Sequence, residues 1–128
     1  MSAPGKALKR ALERSSRRHP RYRAEFAVVV NLLSEGNRQR INGHCRDISQ
    51  AGMGVLIAAE LDLGEVATLS FTLPGSRGSW EIRAVIRYRR GYHYGFEFLS
   101  PSKEQARALT GYLLELDRAD SDQTAPSL

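Results

Sequence analysis

Two stretches of the chain carry side chains suited to holding an anion and reading a hydrogen-bonding edge. The first, "RRHPRYR", sets Arg17, Arg18 and Arg21 around Pro20. A guanidinium is a planar, permanently charged fork of donors that fits phosphate or carboxylate oxygens. The second, "DISQAG", offers the acceptor pair of Asp47, the hydroxyl of Ser49 and, at Gly52, a backbone position open to close approach. Arginines four apart recur at 10/14, 14/18, 17/21 and 83/87 in a chain with sixteen of them, so that spacing alone carries no information. Context distinguishes Arg17 and Arg21: they straddle Pro20, directly precede the first apolar run, and are followed by Asp-x-Ser-x-x-Gly.

Each stretch taken singly has a plainer explanation. Asp, Ser and Gly are common turn formers, and a basic segment is more often a solvated or nucleic-acid-binding tail than a specific clamp. Their order along one chain is what favours a joint site. Other chemistry finds less support. His19, His44 and His93 are scattered, and no Ser, Cys or His stands in a nucleophile–base arrangement, so no enzymatic activity is expected. His44 and Cys45 are adjacent on an alternating segment and point to opposite faces, which argues against a shared metal. Glu60, Asp62 and Glu65 lie in or beside a loop as solvated acids. Trp80 opens an alternating segment and reads as packing rather than as a base-stacking platform with Tyr92 and Tyr94.

The elements that must position these residues are mostly strands. "EFAVVVNLL", "RINGHCR", "MGVLI", "VATLSFTL", "WEIRAVIRY" and "YGFEFL" alternate or are rich in β-branched and aromatic residues, with turn signals at "SEGN", "LDLGE", "PGSRGS" and "RRG". Leu69, Phe71 and Leu73 share one face, as do Trp80, Ile82, Ala84, Ile86 and Tyr88, while Glu81, Arg83, Arg87 and Arg89 face solvent. Six short strands at this spacing predict a small antiparallel barrel or sandwich. The period then changes to 3.6: Ser102 and Gln105 form a capping box, and Ala106, Leu109, Leu113 and Leu116 make one apolar stripe.

With 128 residues, 41% of them apolar, the chain has the content for one core. The domain is expected over 17–117, preceded by a mobile basic arm over 1–16 and followed by a polar, disordered tail over 118–128. Charge is uneven. Residues 1–25 hold eight Lys or Arg against Glu13 and Glu25, a net +6 out of +5 for the whole chain, so the body carries −1. An anionic partner is therefore expected at the arm. A nucleic-acid-binding barrel, which usually carries its positive charge on the sheet, is disfavoured by that near-neutral body. Cys45 is the single cysteine, so no internal disulfide forms; no apolar run reaches the ~18 residues of a membrane span, and residues 1–25 lack the core of a secretory signal. A cytoplasmic protein without membrane insertion is expected.

Through "RRHPR", "DISQAG" and the late "YGFEF" (Tyr94 to Phe98), residues 15–116 resemble the PilZ domain family, bacterial receptors for cyclic di-GMP. The resemblance implies a six-stranded antiparallel β-barrel with a flanking C-terminal helix. It implies cyclic di-GMP as the ligand, with no metal, held by Arg17, Arg18, Arg21, Asp47, Ser49 and Gly52. Arginine would grip phosphate or guanine O6 and N7, and Asp47 would accept from guanine N1–H and N2–H₂. Ser49 and the backbone at Gly52, where glycine permits a positive φ and close approach of the ligand, would complete the contacts. Nucleotide binding is expected to order the arm over the barrel and alter contact with a protein partner, since the chain has no second domain to act on. A ligand-independent pilus or flagellar module is the remaining alternative, because some family relatives lack the binding motifs.

Overall fold

The structure, a computed structural model, describes residues 19–34 and 36–124. Six strands, β1 (Tyr22–Ser34), β2 (Asn37–Ile48), β3 (Gly52–Ile57), β4 (Val66–Phe71), β5 (Trp80–Arg90) and β6 (His93–Leu99), precede one helix, α1 (Lys103–Thr124). All pairings are antiparallel, and the order β1-β2-β3-β6-β5-β4 closes on itself because β4 returns to β1. This is the expected barrel with its C-terminal helix, and closure leaves no open sheet edge.

Alternation builds the core. Along β1, Ala24, Val28, Val30 and Leu32 are buried while Arg23, Glu25 and Ala27 are exposed. Across the barrel they meet Met53, Val55 and Ile57 of β3, Leu69 and Phe71 of β4, Ile82 and Ala84 of β5, and Phe96 and Phe98 of β6 in one cluster. A buried aliphatic or aromatic side chain contributes about 1.5–3 kcal/mol by leaving water, so this cluster is the main term holding the barrel together. Tyr94 is buried without loss, because its hydroxyl donates to the Ala59 carbonyl at 2.8 Å and accepts from the Leu61 N–H at 3.0 Å.

Helix α1 starts at the expected capping box: the Gln105 N–H donates to Ser102 Oγ at 3.0 Å, and the Ser102 N–H to Gln105 Oε1 at 2.9 Å. Its Leu109 and Leu113 join the barrel cluster. An aromatic row then runs from the helix into the sheet, Tyr112 to Phe26 at 6.5 Å, Phe26 to Phe71 at 5.5 Å and Phe71 to Trp80 at 5.7 Å. Trp80 is thus a packing residue.

The structure corrects four expectations. Strand β1 begins at Tyr22 rather than at Glu25, because alternation already runs through Tyr22, Ala24 and Phe26; the density of arginine had concealed it. The strands are not uniformly short, β1, β2 and β5 having 13, 12 and 11 residues. The helix continues through Thr124, so the polar tail does not begin at 118; the first strong breaker after Gly111 is Pro126, whose preceding residue disfavours helix. Finally, Tyr88 does not share the inner face with Ile86. It is 40% exposed, because the β5–β6 register shifts between Ile86 and Tyr88 and the extra residue, Arg87, turns Tyr88 outward.

Candidate functional site

That shift is one of three, and all three meet on one part of the barrel. Between β1 and β2 the register slips from Arg23↔Asp47 to Phe26↔Cys45, and between β2 and β3 from Cys45↔Val55 to Asp47↔Gly54. Arg46 is the surplus residue on β2 in the second case. Bulges re-aim side chains, and these bring Asp47, Tyr88 and the start of β1 to one outer face. Two glycines there, Gly54 of β3 and its cross-strand partner Gly95 of β6, leave the room that the re-aimed side chains occupy. A Cβ on Gly54 would lie 2.6 Å from His93 Nε2 and 2.7 Å from Asp47 Oδ2, and one on Gly95 would collide with the Tyr88 ring.

Among the described residues that line this floor, Asp47 is the carboxylate. The Arg21 guanidinium donates to its Oδ1 at 2.5 Å, and His93 Nε2 lies 3.3 Å from its Oδ2. The His93 ring stacks on Tyr88, centroids 6.0 Å apart and planes at 25°, and the Arg21 guanidinium lies over the Tyr88 ring, 5.8 Å from its centroid. The group borders an open cleft of about 420 Å³ lined by Arg21, Arg23, Arg46, Asp47, Leu56 and His93 among others. Among the described residues its lining holds three guanidinium groups and one carboxylate, with Glu25 beside Arg46. Arg46 Nε is buried and, among the described residues, makes no hydrogen bond; Glu25 Oε1 is 3.4 Å away but badly aligned. The Arg46 guanidinium is thus held beside Glu25 as an ion pair at the edge of the cleft.

The turn after β2 holds Asp47 in place. Ser49 is only 3% exposed, and its Oγ accepts from the N–H groups of Ala51 at 3.1 Å and Gly52 at 3.2 Å, while its own N–H donates to the Gly52 carbonyl at 2.8 Å. Cys45 Sγ donates to the Asp47 carbonyl at 3.3 Å. Burial, reinforced by the neighbouring Asp47 charge, pushes the Cys45 thiol up to about 12, so it is no nucleophile. Gly52 does not have a positive φ. Its hydrogen is required instead because the Phe96 carbonyl of β6 passes where a Cβ would sit.

A family model described as PilZ domain matches residues 15–115. The chain belongs to the PilZ domain family. Among solved structures it is similar to the PilZ domain with c-di-GMP of YcgR from Escherichia coli, 21% identical with a TM-score of 0.62, which covers 86% of this chain and 98% of that one. It is also similar to the Bacillus subtilis inhibitor of motility (MotI/DgrA), 21% identical with a TM-score of 0.63, covering 81% of this chain and 50% of that one. These identities establish the fold. A curated protein of Aquifex aeolicus (strain VF5) is 29% identical over 102 residues, covering 77% of this chain; the chain spans about half, 48%, of that relative's length.

Of the residues that the PilZ motifs single out, the structure joins Arg21 to Asp47 in direct contact. Ser49 and Gly52 lie in the turn behind them, their polar groups engaged with each other. Arg17 and Arg18, with the arm over 1–16, lie outside the described residues. Four cleft-side residues escaped the sequence reading: Arg23, Arg46, Tyr88 and His93. Arg46 was visible as the neighbour of Asp47. Tyr88 and His93 depend on the β5–β6 bulge, and the one available signal was Gly95, a glycine inside an alternating strand, which marks a bulge or a close approach. A second, smaller groove of about 220 Å³ lies between α1 and the incoming chain, lined by His19, Pro20, Leu113 and Leu114 among others.

Proposed function

We propose that this chain is a receptor for cyclic di-GMP and no enzyme. The observation that carries the reading is the Arg21–Asp47 pair, set over Tyr88 at the edge of a cleft bordered by two further arginines. The ligand has two phosphodiester charges and two guanines. Arg21, Arg23 and Arg46 supply donors for the phosphates and for guanine O6 and N7, Asp47 supplies the acceptor pair for guanine N1–H and N2–H₂, and Tyr88 offers a ring face for a base. Family likeness adds Arg17 and Arg18 as ligand contacts. It also gives Ser49 and Gly52 a part; with Ser49 Oγ occupied in the turn, that part is to present Asp47 and the local backbone. Binding draws the basic segment ahead of Tyr22 over the cleft and so alters the surface offered to a protein partner. No metal takes part.

The reading is tested by calorimetric titration of the wild type, Arg21→Ala and Asp47→Asn with cyclic di-GMP, cyclic di-AMP and GTP, alongside hydrogen exchange with and without nucleotide. Selective binding of cyclic di-GMP is expected. Losing a charge-assisted contact costs about 1.5–3 kcal/mol, so Arg21→Ala should weaken it roughly ten- to a hundredfold. Asp47→Asn separates base reading from charge attraction: removing a negative charge strengthens binding to any polyanion, whereas losing an acceptor for guanine weakens it. Slowed exchange should centre on 17–23 and 47–52. Unchanged affinity in Arg21→Ala, or tighter binding by Asp47→Asn, overturns the assignment.

A further inference from the structure

The cleft contains one imidazole, that of His93, which belongs to neither motif. His93 opens β6, and its side chain is 27% exposed beside an Asp47 that is 26% exposed. A carboxylate only accepts, so the 3.3 Å contact with Asp47 Oδ2 requires a proton on Nε2 in the neutral ring as well as in the charged one. The contact therefore survives both states. What protonation adds is a second N–H, at Nδ1, and a full positive charge on a ring held flat against Tyr88.

We infer that His93 is a positioning residue of the nucleotide site, fixing the Asp47 carboxylate through Nε2, and that it makes cyclic di-GMP affinity fall as pH rises. The inference rests on the reading of the cleft given above. Each element around His93 contributes to the balance. From β2 come Asp47 and Arg46, from the chain entering β1 come Arg21 and Arg23, and from β5 come Tyr88 and Arg90, the latter paired with His93 across the strands. β3 contributes only Leu56 and the bare backbone of Gly54. In the free protein a charged His93 gains Asp47 but faces several arginines. A dianion entering the cleft offsets that repulsion, so the complex holds a proton on His93 more firmly than the free protein does. By linkage, binding takes up protons, and affinity is highest where His93 is charged and is lost as pH climbs through its titration.

Calorimetry at pH 6 and pH 8, each in two buffers of different ionisation enthalpy, reads this directly with cyclic di-GMP as the probe. The wild type should take up a fraction of a proton per nucleotide and bind about three- to tenfold more weakly at pH 8. His93→Asn should bind more weakly than the wild type at pH 6, with no proton uptake and a flat profile. As a measurement independent of any variant, the imidazole Hε1 resonance of His93 should titrate at higher pH in the complex than in the free protein. His44, on the outer face beside Glu25, should not move. Binding with no proton uptake, uptake that persists in His93→Asn, or a shift confined to His19 overturns the inference alone. Absence of binding at both pH values overturns the cyclic di-GMP reading with it.

Discussion

The barrel has two unlike walls. Where β4 meets β5 the register is unbroken from Val66↔Val85 to Phe71↔Trp80, and from Ala67↔Ala84 onward inner and outer side chains alternate as in an ideal antiparallel pair. Where β1, β2, β3, β5 and β6 surround Asp47 it breaks three times, and residues that alternation would hide or scatter are gathered on one exposed floor. The regular wall stores stability as buried apolar surface. The irregular wall gives up some of that regularity to bring a carboxylate, an imidazole, a phenol and guanidinium groups into contact, which is the usual trade at a binding site.

By that division, the largest effect of any change on the regular wall is on stability. Leu69 is fully buried, and its cross-strand partner is Ile82. Leu69→Ala should cost about 2–5 kcal/mol, since the closed barrel cannot collapse around the lost volume. In thermal unfolding that is a drop of roughly 10–25 °C for a domain of this size. Nucleotide affinity of the remaining folded protein should stay within about twofold of the wild type. A large affinity loss at a temperature where the variant is folded would mean that the two walls are coupled.

The same division explains how much the amino-acid sequence revealed. Phe71, Ile82 and Leu69 lie in unbroken alternation, so their burial and the barrel itself were legible, as were the capping box of α1 and its apolar stripe. Arg21 and Asp47 were legible because their residue types stand in a recognisable order. Tyr88 was misplaced because a period-2 reading assumes no surplus residue, and nothing local to "RYRRG" reports that Arg87 is one. His93 was passed over because its partner lies 46 positions earlier, joined to it only through β3. The start of β1 was obscured for another reason: Arg23 and Glu25 read as arm charge, although the same residues form the solvated face of a strand.

A smaller effect is expected on the irregular wall itself. In Gly95→Ala the new methyl group claims the space of the Tyr88 ring. Overpacking usually costs about 1–3 kcal/mol, and a half-exposed ring can swing into solvent, so the lower part of that range is expected. Function should suffer more than stability, because Arg21 and His93 both rest against that ring. Thermal unfolding and cyclic di-GMP titration, run on Gly95→Ala and on Gly95→Ala/Tyr88→Ala, separate the two. The double variant should regain most of the stability but not the affinity. A Gly95→Ala protein that binds as tightly as the wild type would show that the Tyr88 ring is no part of the site.

The smallest effect concerns what holds the β5–β6 bulge open. Arg87, the surplus residue, donates through Nε at 3.0 Å and Nη2 at 2.7 Å to one oxygen of Glu97 on β6. Both side chains are about half exposed, and a pair in that setting is screened by water and salt and contributes about 0–1 kcal/mol. That is too little to impose a register on two strands. The packing beneath it is a stronger cause: Tyr88 lies over Gly95, where any Cβ would exclude it, and Ile86 and Phe96 are both buried on the other side of the pair. If packing sets the bulge, Arg87→Ala should lower stability by less than about 1 kcal/mol, with the difference shrinking in 1 M salt, and should leave cyclic di-GMP affinity unchanged because Tyr88 keeps its place. If the ion pair sets it, the same substitution would let β5 slip back into regular alternation, carry Tyr88 toward the interior, and weaken binding as far as Gly95→Ala does. Titration of the two variants side by side decides between these causes.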